Sequence, residues 1–266
     1  MLVCVDYDGT LADDGDIPHE HREVVRQARA AGHQVVLCTG RCRCMVPPEV
    51  LDEVDGLVGS SGGYVELGGQ TLSDTRFPEP LAVQVLRLLD EAKVLYILEA
   101  PEAGYAQAPM IPVLAEALGR GLTGPGAVSA IMGMVRPLPQ PAPRFAKIAC
   151  FGAPRPLTEL VDRLPAEVGL IPSSLPVLGP GAGEIFLRSL SKAAGVQTIC
   201  RQLGVGPEQV VAVGDGHNDI ELAEIAGTAV AVASGPPQLL ARADLVVPGP
   251  AELGLVEAFT RLGLTG

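Results

Sequence analysis

The sequence predicts an α/β protein: a Rossmann-like, doubly wound parallel sheet with a smaller α+β domain inserted into it. Three observations carry this. Short apolar, β-branched runs alternate with helix-length amphipathic segments at both ends of the chain, which calls for right-handed crossovers and a parallel sheet. Several of these runs stop abruptly in Asp, Thr or Gly, as strands do when they open into a ligand crevice. Between about Pro80 and Gly183 the character changes: prolines become dense and irregular stretches separate the elements. The expected division is 1–79 with 184–266 for the sheet core and 80–183 for the insert.

Leu2–Val5 is long enough for one buried strand. It ends in Asp6 and Asp8, two residues apart, then Gly9 lets the backbone turn and Thr10 offers a hydroxyl. An extended spacing of two directs both carboxylates to one side. Two acids this close repel one another, and Mg²⁺, which takes oxygen ligands, is a fitting partner. Alone, Asp-x-Asp-Gly fits equally well a strand end followed by an acidic turn.

His19–Ala31 follows as an amphipathic helix with Val24, Val25 and Ala28 on its apolar face, stopped by Gly32. Gln34–Cys38 is the second strand and ends in Thr39-Gly40-Arg41. A hydroxyl, a glycine N–H and a guanidinium in one turn make a phosphate cradle; a plain turn with a surface arginine is the alternative. Pro48–Val54 reads as a weak helix and Gly56–Gly59 as a third strand, closed by the tight turn Ser60-Ser61-Gly62-Gly63. Tyr64–Leu67 and Gln70–Leu72, joined by Gly68-Gly69, read as a hairpin.

In the insert, helices are expected at Leu81–Ala92, Ile111–Leu118 and Pro156–Leu164. Strands are expected at Val94–Leu98, Lys147–Phe151 and Glu184–Leu187. Val135–Arg144 holds four prolines and is expected to be a loop. Alternation then resumes. Lys192 opens a helix to about Leu203, with Ser189 or Ser191 as N-cap. Val210–Val213 is a strand that ends in Gly214-Asp215-Gly216-His217-Asn218-Asp219. The chain continues with helix Ile220–Ala226, strand Thr228–Val232, helix Pro236–Arg242, strand Asp244–Val247 and helix Ala251–Leu262.

Composition narrows the function. The chain has 266 residues, 47% of them hydrophobic, so a large core is available. A net charge of −12 argues against nucleic-acid or anionic-membrane partners. No leader pattern and no apolar run of about 18 residues is evident, so a cytoplasmic location is expected. Of the six cysteines, Cys4, Cys38 and Cys150 read as small core residues. Cys42-Arg43-Cys44 has the spacing of a metal or redox pair but no matching Cys/His pair, and reduced thiols are the simplest account.

Asp6 and Asp8, Thr39, Lys192, and Asp215 with Asp219 all fall at strand or helix ends that one parallel sheet can bring together. Phosphoryl transfer needs such a set: a nucleophile, a metal, cations and donors for phosphoryl oxygens, and an acid for the leaving group. Asp6-Tyr7-Asp8-Gly9-Thr10, Thr39-Gly40-Arg41, Lys192 and Gly214–Asp219 resemble the four motifs of the haloacid dehalogenase superfamily. Their order and wide spacing resemble its Cof-type phosphatases, which carry an α/β cap between the second and third motifs.

The resemblance implies that Asp6 is the nucleophile and that Asp8 serves the leaving group and the hydrolytic water as acid and base. It implies Mg²⁺ held by Asp6, the Asp8 carbonyl, Asp215 and Asp219, the last directly or through water. Thr39, Gly40 and Lys192 would bind the phosphoryl group, and Asn218 would orient Lys192 or a carboxylate. The implied substrate is a small phosphoester, most simply a sugar phosphate; a phosphomutase or an inactive binding protein are the other readings. Two departures from the family pattern are Ser61 and Ser234, which stand where asparagine is common, and they bear on substrate choice. In the cap, Glu99, Glu102, Tyr105, Arg136, Arg144 and Glu184 are candidate leaving-group contacts or, equally, solvated surface residues.

Overall fold

The computed structural model describes residues 1–265 except 14, 122–126, 140–141, 143 and 174–177. The chain forms two compact units, 1–41 with 46–74 and 191–266, and 42–45 with 75–190. The first opens with β1 (Leu2–Val5), α1 (His19–Ala30), β2 (Gln34–Cys38), α2 (Pro48–Glu53), β3 (Gly56–Gly59), β4 (Tyr64–Leu67) and β5 (Gln70–Asp74). The second holds α3 (Glu79–Glu91), β6 (Leu95–Glu99), β7 (Gly104–Ala106), α4 (Ile111–Gly121) and α5 (Ala127–Met134). It continues with β8 (Val135–Pro137), β9 (Lys147–Phe151), β10 (Val168–Pro172) and β11 (Gly183–Leu187). The first unit resumes with α6 (Lys192–Leu203), β12 (Val210–Gly214), α7 (Ile220–Ile225), β13 (Thr228–Val232), α8 (Pro237–Leu240), β14 (Leu245–Val247) and α9 (Gly254–Arg261).

The first unit is one sheet in the order β14-β13-β12-β1-β2-β3-β4-β5, parallel from β14 to β3 and antiparallel through the hairpin. Its central parallel strands are almost wholly apolar because both faces are covered. Val3 and Val5 join Val24, Val25 and Ala28 of α1 and Leu255, Ala258 and Phe259 of α9 in one core. Leu2 and Cys4, one step out of phase, join Val196 and Ile199 of α6 and Leu222 of α7 in another. The period of two in β1 thus distributes one strand between two hydrophobic layers. This is the α/β, doubly wound arrangement that the alternating pattern predicted.

The second unit is a sheet in the order β10-β11-β9-β6-β7-β8, antiparallel except for the parallel pair β7–β8. On one face Val85, Leu88 and Leu89 of α3 pack with Tyr96, Leu98, Ile148 and Cys150. On the other, Leu114 of α4 meets Ile97, Ala106 and Ala149.

Several local readings change. Val135–Pro137, expected to be loop, pairs with β7 as an edge strand. Proline is tolerated there because an edge strand has one side that owes no ladder hydrogen bond. Further along the same stretch, residues 140–141 and 143 lie outside the described residues. Pro156–Leu164 is a 3₁₀ helix over Leu157–Arg163 rather than an α-helix. Pro165 forces Leu164 into extended backbone (ψ 148°) and cuts the segment short. The last helix is split: a 3₁₀ turn at Pro250–Glu252 precedes α9, with Leu253 in the left-handed region (φ 62°) between them. The short strands β7 and β10 and helix α5 carry no strong period and were not read from the sequence.

Candidate active site

The site is assembled by the carboxyl ends of β1, β2 and β12 and the start of α6, all in the first unit. Asp6 extends the β1–β12 ladder by one bond, its N–H donating to the Val213 carbonyl at 2.9 Å. The chain then folds back, with Leu11 N–H donating to the Asp6 carbonyl at 3.1 Å and Ala12 N–H to that of Tyr7 at 2.8 Å. Gly9 makes this return feasible: its φ is +79°, and a Cβ there would lie 2.4 Å from Asp215 Oδ2. The loop therefore sits directly on the β12 acid. Thr10 Oγ1 donates to Asp215 Oδ1 at 2.8 Å, a link that the sequence offered only as a free hydroxyl.

Lys192 is the first residue of α6 and is completely buried. Ser191, not Ser189, is the N-cap, accepting from Ala194 N–H at 3.2 Å. Cations are unfavourable at a helix N-terminus. Here two acids more than compensate: Lys192 Nζ lies 2.8 Å from Asp6 Oδ1 and 2.7 Å from Asp219 Oδ1. Asp219 is fixed from its other oxygen, which accepts N–H bonds from Asp215 at 3.2 Å and Gly216 at 2.9 Å. Carboxylate oxygens of Asp6, Asp215 and Asp219 lie within 4.8 Å of one another.

Three acids and one ammonium in so small a volume shift one another. Burial works to lower the Lys192 pKa, but Asp219 and Asp6 outweigh it and hold the ammonium above its usual range. Burial pushes the Asp6 carboxyl up; Lys192 opposes this, and the charges of Asp219 and Asp215 add to it. Burial raises Asp215 as well, against the pull of the Thr10 hydroxyl. The cluster is an acid-rich hollow with one fixed positive charge, short of cationic charge by its own composition.

Thr39 continues β2, its N–H donating to the Val58 carbonyl at 2.8 Å, and its buried hydroxyl accepts from Arg41 N–H at 3.1 Å. Gly40 faces Ser61 and Asn218: a Cβ on it would lie 3.6 Å from Ser61 Oγ and 3.7 Å from Asn218 Nδ2. Asn218 itself is exposed, and the side chains that hold Lys192 are Asp6 and Asp219. The turn after β3 is pressed against the start of α6. Gly62 has φ +97°, and a Cβ on it would lie 2.1 Å from the Ser191 carbonyl oxygen.

Arg41, read as part of the phosphate cradle, is committed to Asp8. Its Nε lies 2.8 Å from Asp8 Oδ2 and its Nη2 2.5 Å from Asp8 Oδ1, a bidentate pair. The guanidinium also lies over the Tyr7 ring, 4.4 Å from the centroid. No spacing rule in the sequence joins Arg41 to Asp8 or Tyr7; only the adjacency of β1 and β2 does.

Of the candidate contacts in the second unit, Glu99 is not solvated surface. It is 3% exposed, and its Oε2 lies 3.4 Å from Lys147 Nζ, which is 2.9 Å from Glu184 Oε1. Glu102 pairs with Arg76 at 3.5 Å, and Arg136 Nη1 donates to the Gly133 carbonyl at 2.7 Å. Arg144 is exposed and Tyr105 half-buried.

Among the described residues no helix is long and apolar enough to cross a membrane. The family model described as haloacid dehalogenase-like hydrolase matches residues 3–259. The Bacillus subtilis protein YkrA, a candidate phosphatase by its name, is 26% identical over 99% of this chain and 98% of its own. A phosphoglycolate phosphatase of Methanothermobacter thermautotrophicus is 28% identical over 97% of each chain. Among solved structures, a hypothetical protein of Geobacillus kaustophilus superposes with a TM-score of 0.82 at 23% identity, over 99% of this chain and 98% of that one. A haloacid dehalogenase subclass IIB sugar phosphatase superposes with a TM-score of 0.75 at 18% identity, over 99% of both chains.

Proposed function

Because the chain belongs to the haloacid dehalogenase-like hydrolases and is a phosphatase, a phosphoric monoester hydrolase, we propose that it hydrolyses a small phosphorylated metabolite through an aspartyl-phosphate on Asp6. One observation supports this best: the buried Lys192 ammonium bridges Asp6 and Asp219 at the carboxyl end of the sheet. A cation in that place opposes the effect of burial on Asp6 and presents positive charge to an incoming phosphoryl group.

In this reading one Asp6 oxygen attacks phosphorus while the bond to the leaving oxygen breaks. Asp8, half-exposed on its Arg41 clamp, gives that oxygen a proton. Water then attacks the aspartyl-phosphate, Asp8 takes its proton, and the Asp6 carboxylate is regenerated with release of phosphate. The Thr39 hydroxyl, the Gly40 N–H and Lys192 supply donors to the phosphoryl oxygens, with Asn218 beside Gly40.

The acid cluster fits a hard divalent cation: its donors are all oxygen, they lie within 4.8 Å of one another, and Thr10 fixes one of them. Mg²⁺ would be held by Asp6, Asp215 and the Asp8 carbonyl. Asp219 has both oxygens engaged, by Lys192 and by two N–H groups, which suits a link through water. When bound, the ion supplies charge that offsets the phosphoryl oxygens and the acids themselves. A sugar phosphate is the proposed substrate class, in line with the name of the subclass IIB neighbour; phosphoglycolate, from the name of the archaeal relative, belongs in the same screen.

The test is Asp6→Asn assayed on p-nitrophenyl phosphate and on a panel of phosphorylated metabolites with Mg²⁺. Turnover should fall by on the order of 10³ or more. A folded variant that keeps a few per cent of the parent rate would exclude Asp6 as nucleophile.

A further inference from the structure

Cys42 and Cys44 take no part in the chemistry above. They belong to the second unit, as do Glu99, Lys147 and Glu184. Both thiols are free, and their sulfurs lie 3.1 Å apart, one S–H donating to the other. Their Cys-x-Cys spacing suits either a metal or a redox pair. A thiolate metal site needs further His, Cys or acid ligands around the pair. Among the described residues, the group of three or more such side chains close enough to share an ion is Asp6, Asp215 and Asp219, which does not include either cysteine. Among the described residues the thiols therefore lack the further ligands of a metal centre.

They have instead a buried proton acceptor. Glu99 is buried in the same unit, and its charge acts on the Cys42 thiol, raising its pKa, while that of Lys147 opposes it. Glu99 Oε2 is buried and receives no hydrogen bond, although Lys147 Nζ stands 3.4 Å away as a counter-charge. Burial raises the Glu99 carboxyl, against the pull of Lys147, so it takes a proton more readily than a surface glutamate. The two thiols also differ in access: Cys42 is fully buried, whereas Cys44 is partly exposed. The contact between the two sulfurs lowers the Cys44 pKa and, together with burial, raises that of Cys42. A partly exposed sulfur held 3.1 Å from a buried one is the arrangement of an attacking and a resolving cysteine.

We propose that Cys42 and Cys44 form a reversible redox site in which a peroxide oxidises Cys44 and Cys42 closes a disulfide, with Glu99 taking the Cys42 proton. The Cys44 thiolate attacks one peroxide oxygen; the S–O bond forms, the O–O bond breaks and hydroxide leaves. Cys42 then gives its proton to Glu99, and its sulfur attacks Cys44; the S–S bond forms, the S–O bond breaks, and the second hydroxide departs. The hydroxides collect the Cys44 and Glu99 protons. Two thiols and one peroxide thus become one disulfide and two waters, and a dithiol reductant restores the starting state.

The test uses the full-length, reduced protein exposed to hydrogen peroxide, with free thiols then alkylated and the cysteine peptides weighed. Cys42 and Cys44 should become protected together, as a peptide link lacking two hydrogens, and should be alkylated again after treatment with dithiothreitol. Cys42→Ser should leave Cys44 as a sulfenic acid that dimedone captures. Glu99→Gln should slow disulfide closure by roughly tenfold or more. A parent protein in which Cys44 goes to sulfinic acid, or stays alkylatable, without linking to Cys42 would overturn the site. Closure in folded Glu99→Gln at the parent rate would overturn the role of Glu99. Should Glu99→Gln not fold, the parent and Cys42→Ser measurements decide the site without it.

Discussion

Replacing Lys192 by methionine tests the central electrostatic claim about the site. The side chain is completely buried, and its two partners are nearly so, with the Asp6 and Asp219 side chains 9% and 4% exposed. Methionine keeps the length and removes the charge, so the loss is electrostatic rather than a cavity. Two buried carboxylates are then left facing each other with no counter-ion. Removing one partner of a buried ion pair costs about 3–5 kcal/mol, which in a chain of this size lowers Tm by about 6–20 °C. The deficit should depend on pH with a definite sign. Burial already raises Asp6, and Lys192 is the main influence that opposes it. Without Lys192 the folded-state pKa climbs further above the unfolded value. A carboxyl raised on folding binds its proton more tightly in the native state, so the variant regains stability as pH falls, by at most about 1.4 kcal/mol per pH unit for one group. The chain has no tryptophan, so urea unfolding is best followed by far-UV circular dichroism, between pH 7 and pH 5 in chelator. A deficit under about 1 kcal/mol at pH 7, or one that widens as pH falls, would refute the reasoning.

Three further outcomes are expected. Saturating Mg²⁺ should stabilise the native protein by about 2.7 kcal/mol at a hundredfold excess over Kd, and Asp215→Asn should abolish that shift in a thermal melt. His21 is buried, hydrogen-bonds the Leu11 carbonyl through Nδ1 at 2.9 Å, and leaves Nε2 without a partner, so burial lowers its pKa. Its contribution should be complete above pH about 6.5 and be lost as pH falls toward the depressed native value, by up to about 1.4 kcal/mol per unit; unfolding curves of His21→Gln should lack that dependence. Gly62→Ala combines a positive φ with a 2.1 Å approach to the Ser191 carbonyl oxygen, so it should cost about 2 kcal/mol or more by urea titration; a neutral substitution would mean that the turn after β3 is not tied to α6.

Much of the fold was legible because its causes are local. Strands buried on both faces must be apolar along their length, so β1, β2, β3, β12 and β13 stand out as short runs bounded by helical patterns. An acid, threonine or glycine at the end of such a run has no packing reason to be there, which marks Asp6, Asp8, Thr39 and Asp215 without any knowledge of the chain's path. Lys192 was legible for a related reason: a lysine at a helix start works against the dipole unless an opposite charge nearby offsets it. The second unit was harder. Its strands β7 and β8 are three residues long, too short to show a period, and Pro137 made an edge strand look like loop.

What the sequence alone determined is the set of residue types and the strand or helix end that carries each: acids after β1 and β12, a hydroxyl after β2, a lysine opening α6. Which of them touch was decided only by tertiary structure. Arg41 and Asp8 are 33 residues apart, Thr10 and Asp215 are 205 apart, and Lys192 and Asp219 are 27 apart. Sheet order brings these pairs together, and sheet order follows from which hydrophobic layers can be closed, a property of the whole chain. For the same reason a lone glutamate closing β6 gave no sign that it would lie buried beside Lys147: that partner comes from a separate stretch of chain, and burial, not residue type, gives Glu99 its chemistry.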